Sequence, residues 1–309
     1  MKILLFGITD FCTNILDKLV QAKYDVCGLV VNASNNIDVQ EMKTLAQAAK
    51  IRCFEPAKVK DPVFIAEIKK SCQPDVILVF TYDQLIPAQL YSLAKIAAIN
   101  MHPSALPKYR GCHPYFWPIA NGEKYTALTY HYLTDQFDTG DIIAQETIAI
   151  EPSDTSGIVI EKQKQLSWEM LRSILLEIAK TQKAPAATPQ PTGDFIGAPR
   201  VKLPDYFVDW AWPNKKILDR IRALNPFSAA FTIYKGVHLG VYQVEVVETT
   251  AQALPGTIIE LREMGPVVKT RDGALLLRII VVGRKYLLSG DEFIKREGVK
   301  VNENFSYWR

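Results

Sequence analysis

Long apolar runs, paired cysteines, glycine-rich turns and a strong charge of one sign are all missing from this chain of 309 residues, and each absence excludes a class of protein. No stretch of about 18 consecutive apolar residues occurs, so no helix is expected to span a membrane. Residues 1–7 are apolar too briefly for a signal peptide, lack a small-residue cleavage site, and read as a buried first strand. The five cysteines (Cys12, Cys27, Cys53, Cys72, Cys112) form no Cys-x-x-Cys pair and are odd in number, the usage of a cytoplasmic protein with reduced, mostly buried thiols. His113, His131 and His238 are scattered without ligand spacing, so no metal site is expected. Only one glycine, Gly7, stands at the first strand-to-helix turn, where dinucleotide binding would want three. The net charge of +3 is too small to argue by itself for nucleic acid.

What is present is a chain that is 48% hydrophobic, ample for a large core in one or two domains. The first half alternates strand-like and helix-like segments. Residues 2–7 form a short β run, after which Phe11, Ile15, Leu16, Leu19 and Val20 recur at helical spacing. A continuous apolar run over 24–31 is followed by a second helical face, Val39, Met42, Leu45, Ala46 and Ala49. Asp61-Pro62 is a helix start, a capping side chain followed by proline at the first helical position. Residues 75–82 and 96–101 are apolar on both faces, as central parallel strands are. Such β-α repeats predict an α/β fold with a doubly wound, mostly parallel, Rossmann-like sheet, whose ligands bind beyond the carboxyl ends of the strands.

Two further β runs cover 126–133 and 142–150, and a helix is expected from about Asp154, with Asp-Thr-Ser-Gly as its cap, to Lys180. Five prolines (185, 189, 191, 199, 204) then break all periodicity, which reads as a linker. Beyond Tyr206 come one helix, 214–224, and short strands over 229–234, 239–247, 257–261 and 274–281, the pattern of a small OB-like β-barrel. The expected organisation is a catalytic domain over 1–181, a Pro-rich linker over 182–205 and a C-terminal barrel over 206–309.

The chemistry concentrates between residues 100 and 141. Asn100 and His102 are two apart at the end of an apolar strand, so both project to one face, and Asp138-Thr139-Gly140-Asp141 follows. An amide can donate to a developing oxyanion, an imidazole can move protons near neutral pH, and a carboxylate can orient that imidazole. These are the needs of acyl transfer to an amine. A lone histidine after a strand is ordinarily a satisfied structural residue, and Asn100 alone could be a turn former. The three together weigh against that reading, and Asp141 is read as a structural residue of the turn.

The segment Asn100-Met-His-Pro-Ser-Ala-Leu-Pro-Lys-Tyr-Arg-Gly111, with Asp138-Thr-Gly140 about three dozen residues on, resembles the folate-dependent formyltransferases, which include methionyl-tRNA and amino-sugar N-formyltransferases. Asn121-Gly-Glu123, the Asp-Thr-Gly-Asp-Ile-Ile continuation and the stretch 217–227 extend the resemblance over nearly the whole chain, with Ala105 departing from the usual leucine. The resemblance implies 10-formyltetrahydrofolate as the formyl donor. It implies Asn100 as oxyanion donor, His102 as proton carrier and Asp138 as the group that orients His102. A pterin pocket would be lined by Leu85, Ile86, Ser104, Ala105, Leu106 and Pro107. Arg110 and Gly111 would face the acceptor, although a loop salt bridge serves Arg110 equally well.

The acceptor is argued from other residues. The tRNA-modifying branch, as the resemblance has it, carries a long basic insertion after the second strand. Here residues 32–40 contain no Lys or Arg, and affinity for tRNA comes mainly from neutralised phosphates. The stretch 206–309 holds 15 Lys and Arg against 11 Asp and Glu, within the range of an ordinary solvated surface. The aromatic cluster 113–117 resembles small-amine members. A small primary amine, such as a nucleotide-linked amino sugar, is therefore the expected acceptor. Methionyl-tRNA is the alternative, and a non-catalytic relative using the barrel for binding is the alternative of another class. No membrane partner is expected, and nothing in the sequence signals an oligomeric state.

Overall fold

A computed structural model describes residues 1–283 and 286–307; Arg284, Lys285, Trp308 and Arg309, all in the expected barrel stretch, lie outside the described residues. The chain divides into two compact units. One comprises residues 1–114, 126–148 and 160–198, and the other 115–125, 149–159 and 199–309.

The first unit is built on a seven-stranded sheet. In chain order its elements are β1 (Lys2–Gly7), α1 (Asp10–Gln21), β2 (Asp25–Val30), α2 (Ile37–Ala48), β3 (Cys53–Phe54), α3 (Pro62–Ser71) and β4 (Val76–Phe80). They continue with α4 (Ala88–Tyr91), β5 (Ala97–His102), a short helix α5 (Trp117–Ala120) that belongs to the second unit, β6 (Tyr125–Tyr132), β7 (Ile142–Ala149) and α6 (Ser156–Thr181). The strand order is β3-β2-β1-β4-β5-β6-β7, parallel from β3 to β5, with β6 antiparallel to β5. The chain winds outward from β1 in one direction and then in the other, so the switch point lies between β1 and β4.

Alternation explains why these strands are apolar throughout. Ile3, Leu5, Leu78 and Phe80 pack with Phe11, Ile15 and Met42 on one face, together with Leu171 and Leu175 of α6. Leu4, Phe6, Ile77 and Val79 pack on the other face with Phe64 and Ile68 of α3 and Leu90. Each fully buried side chain of this kind contributes about 1.5–3 kcal/mol relative to exposure. Asp61 caps α3 as its sequence predicts, accepting the Val63 N–H at 2.9 Å with Pro62 at the first helical position. At α6 the cap shifts by one residue. The Asp154 carboxylate is taken by the Glu151 N–H (2.8 Å), and Thr155 Oγ1 accepts from the Ile158 N–H at 3.3 Å.

In the second unit α7 (Asn214–Leu224) precedes β8 (Ala230–Tyr234), β9 (Val237–Val247), β10 (Ile258–Arg262), β11 (Gly265–Lys269), β12 (Ala274–Val282), β13 (Tyr286–Ser289), α8 (Gly290–Glu297) and β14 (Phe305–Ser306). Strand order is β10-β11-β12-β9-β8-β14, with β13 on β12. The sheet curls until its two ends meet. The Ile258 N–H donates to Glu303 O and the Phe305 N–H to Gly256 O, both at 2.8 Å. This closure gives the barrel-like form.

Ile217, Ile221 and Leu224, at helical spacing on α7, share the second core with Leu275, Leu277, Phe293 and Phe305. Phe116, Ile119, Ile150 and Val159 belong to that same core. Of the aromatic cluster at 113–117, Phe116 therefore supplies this core, with Tyr115 and Trp117 packed against it. Buried Asp219 of α7 is held by Lys215 (2.6 Å) and Arg222 (2.9 Å). Arg222 also donates to the carbonyls of Glu151 and Asp154 at 3.3 and 2.9 Å.

Residues 182–198, read as linker from their prolines, lie within the first unit. Thr188 exchanges two 2.8 Å backbone hydrogen bonds with Ile142, and the Tyr132 hydroxyl donates to Pro185 O at 2.5 Å. Proline removes backbone donors without removing acceptors, so a segment without periodicity can still be bound along its length. Among the described residues no helix is long and apolar enough to cross a membrane.

Candidate active site

Asn100 and His102 reach the carboxyl end of β5 on one face, as their spacing predicts. Antiparallel pairing sets Asn100 opposite His131 and His102 opposite Thr129, so side chains of both strands meet on that face. Asn100 Nδ2 lies 3.0 Å from His131 Nε2, and His131 Nδ1 lies 2.8 Å from the Tyr132 carbonyl oxygen. A carbonyl only accepts, which assigns the proton to Nδ1 and leaves the Nε2 lone pair to accept an N–H of Asn100. The Asn100 amide is thereby oriented, and its second N–H has no protein partner among the described residues.

His102 is buried. Its Nε2 donates to Tyr109 O at 2.9 Å, and its Nδ1 stands 3.3 Å from Asp138 Oδ1. Asp138, 9% exposed, divides its carboxylate. Oδ2 accepts the Gly111 N–H at 3.0 Å, while Oδ1 faces His102 and, at 3.8 Å, His131. Asp138 sits at φ +58°, in the left-handed region that Asp tolerates better than most side chains. Two glycines make the loops possible. A Cβ on Gly140 would lie 1.9 Å from Tyr132 O, and Gly111, at φ +121°, passes so close to Ala198 that a Cβ would meet its carbonyl at 2.7 Å.

The other expected site residues divide between presenting a surface and building the loops. Ser104 is fully buried and donates to Lys108 O (2.9 Å) and Tyr109 O (3.3 Å). It shapes the turn that returns the Tyr109 carbonyl to His102. Leu106 is buried, and its carbonyl accepts from Gln145 at 3.0 Å; Ala105 and Pro107 are half-buried. Leu85 is 40% exposed, whereas Ile86, at 3%, belongs to the core beneath its loop. Arg110 is turned toward Gln190, donating to Oε1 from Nε at 3.2 Å and Nη2 at 2.5 Å. Gly111 acts through its N–H on Asp138. His131 and Gln190 are the two residues that motif reading misses. Strand alternation over 126–133 would have put His131 on the site face; nothing in the composition of 182–198 singles out Gln190.

Burial, and next the neighbouring His102, pushes the His131 imidazole down to about 4, so it is neutral at physiological pH. An unfolded histidine titrates at about 6.5. Between those values the unfolded chain binds more protons than the folded one, and stability falls as pH drops through the window. The expected loss attributable to His131 is up to about 3 kcal/mol. Urea midpoints measured between about pH 7 and pH 4 should fall less steeply in His131→Gln than in the unmodified chain; parallel profiles would remove His131 as the cause.

Among the described residues no group of three or more His, Cys, Asp or Glu side chains is arranged to hold a metal ion. Residues 1–175 match the family described as formyl transferase, and residues 200–298 its C-terminal domain. The chain is similar to the methionyl-tRNA formyltransferase of Clostridioides difficile, 31% identical over 301 residues that cover 96% of each protein. Among solved structures it resembles HypX from Aquifex aeolicus in complex with tetrahydrofolic acid, with a TM-score of 0.67 at 18% identity. That match covers the whole of this chain and 51% of HypX, so the chain spans about half of HypX's length. WlaRD, a sugar 3N-formyl transferase solved with dTDP and 5-N-formyl-THF, gives a TM-score of 0.67 at 18% identity over 91% of this chain and 97% of its own. Identities this low concern the fold alone.

Proposed function

The chain belongs to the formyl transferase family and is a folate-dependent N-formyltransferase; from that premise we propose that it formylates a small primary amine, and that Asn100, His102 and Asp138 carry the transfer. The donor, 10-formyltetrahydrofolate, supplies an activated formyl group. The loop after β4 suits its ring system. Leu85 presents an apolar surface, and the Tyr82 hydroxyl in the same loop is buried without a hydrogen-bond partner among the described residues.

Asn100, held by His131, directs its remaining N–H at the formyl oxygen, where negative charge develops as the amine attacks. Such a donor stabilises the transition state by about 3 kcal/mol. His102, whose Nε2 proton is committed to the Tyr109 carbonyl, accepts at Nδ1 the proton released by the attacking amine, or passes one from Nδ1 to the leaving nitrogen of the folate. Asp138 holds His102 in orientation and stabilises it electrostatically while it carries that proton.

The observation that carries the choice of acceptor is the connection between β2 and α2. It spans only residues 31–36, contains no Lys or Arg, and is tied to its surroundings by Asn32 Nδ2 donating to Asp83 (3.2 Å) and Gln40 Nε2 donating to Ser34 O (2.9 Å). A tRNA-binding loop at this position would need cations to neutralise phosphates. A nucleotide-linked amino sugar is the leading candidate. A cytoplasmic location belongs to the same proposal. The second reading, initiator methionyl-tRNA as acceptor, draws on the names of relatives that match almost end to end.

The deciding experiment supplies 10-formyltetrahydrofolate with charged initiator tRNA or with a panel of nucleotide-linked amino sugars. The expected result is formylation of a sugar amine at a rate nearly independent of ionic strength. Efficient tRNA formylation, falling steeply between about 50 and 200 mM salt, would overturn the choice of acceptor and leave the transfer chemistry intact.

A further inference from the structure

The side chain of Gln190 makes four hydrogen bonds and uses all of its amide capacity on two loops of the candidate site. Oε1 accepts from Arg110 Nε and Nη2 at 3.2 and 2.5 Å. Nε2 donates to Asp138 O at 2.9 Å and to Gly140 O at 2.7 Å. The first partner belongs to the loop that follows His102, and the other two belong to the turn that carries Asp138. Only the carboxamide of glutamine or asparagine presents an acceptor and a double donor on one planar group, and glutamine has the longer stem of the two.

The backbone around Gln190 is prepared for the task. Pro189 and Pro191 flank it, and a residue before proline is held extended. Prolines at compatible positions also lower the entropy lost when the segment is fixed. The strap is bound on both sides of Gln190. Thr188 pairs with Ile142, the Tyr109 N–H donates to Ile196 O at 2.6 Å, and the Ala198 N–H donates to Arg110 O at 2.7 Å. The same strap thus holds both loops, and Gln190 is where they are joined through one side chain.

We propose that Gln190 is a positioning residue for formyl transfer. It fixes the Asp138 turn, left-handed at Asp138 itself, against the loop following His102, and so sets the separation of the Asp138 carboxylate from the His102 imidazole. The proposal rests on the reading of His102 and Asp138 as the reacting pair. Loss of the Nε2 donors frees the carbonyls of Asp138 and Gly140 and lets the carboxylate move. A displacement of about 1 Å of a catalytic group costs up to about 100-fold in rate.

The test compares Gln190→Ala, the near-isosteric Gln190→Glu, and each combined with Asp138→Asn. Gln190→Glu keeps an acceptor for Arg110 and loses both donors to the Asp138 turn. Expected are falls in kcat of about 10- to 100-fold for both single variants, with the KM for 10-formyltetrahydrofolate changed less than threefold. Neither substitution should lower kcat further in the Asp138→Asn background, because the residue acts through Asp138. Full activity in Gln190→Glu, or losses that multiply with Asp138→Asn, would overturn the proposal. Wild-type activity of Asp138→Asn alone would instead sink the reading on which it rests. Should Gln190→Ala fail to fold by circular dichroism, Gln190→Glu and its double variant decide the matter.

Discussion

Replacing His102 by Ala is expected to lower kcat for formyl transfer by about 10²- to 10⁴-fold, the span of a positioned general acid–base group. The geometry argues for the upper part of that range. His102 is set between two protein oxygens, Tyr109 O at 2.9 Å and Asp138 Oδ1 at 3.3 Å, in a buried setting where a water molecule is a poor replacement. Donor binding should change little, because the apolar surface of Leu85 and the turn residues Ala105 and Pro107 are untouched. The fold should survive as well. Ser104 Oγ already donates to Tyr109 O, so the carbonyl that loses His102 keeps a partner. Steady-state kinetics with 10-formyltetrahydrofolate and a responsive amine, alongside thermal unfolding, check both halves. Residual kcat within threefold of the unmodified enzyme, in a folded variant, would remove His102 from the chemistry.

The second large effect is expected at Asn100. In the proposed mechanism Asn100→Ala deletes the N–H that meets the developing oxyanion, and kcat should fall by about 10²- to 10³-fold. His131 makes this prediction more specific. Because its Nε2 accepts from Asn100 Nδ2, it selects one of the two orientations that an amide could take. Reversing the amide would put a carbonyl where the donor must be. His131→Leu removes the selecting acceptor and should reproduce part of the loss, by about tenfold or more, whereas His131→Gln can supply an acceptor oxygen and should recover most of it. Equal activity in the Leu and Gln variants would show that the orientation of Asn100 does not depend on His131.

Much of the fold is legible in the sequence because its signals are local. β1 and α7 coincide with the segments read from periodicity, and the start of α3 follows from two adjacent residues, Asp61 and Pro62. The spacing of Asn100 and His102 gave their common face. What escaped depends on pairing across long sequence distances. β11 begins Gly-Pro, which reads as a turn, and becomes a strand because β10 and β12 flank it. α8 carried a usable signal, since Ser289 and Glu292 form a capping box, but it follows directly on a strand. Gln190 is the extreme case. Its partners are 80 and 52 residues away, and proline richness suggested slack chain where the structure has a strap.

The membership of residues 115–125 and 149–159 in the second unit bears on how such a protein can be inherited. Phe116, Ile119, Ile150 and Val159 fill the same core as α7 and the curled sheet, although they are encoded between segments of the other unit. A single recombination near residue 199 would therefore exchange only one of three pieces of that body. The incoming barrel would meet apolar residues selected against a different parent, and the mismatch would be felt as cavities or overpacking costing about 1–5 kcal/mol each. Viable exchange requires either crossovers at all three stretches or the transfer of the whole gene, so the two units are expected to descend together even though each is compact in itself.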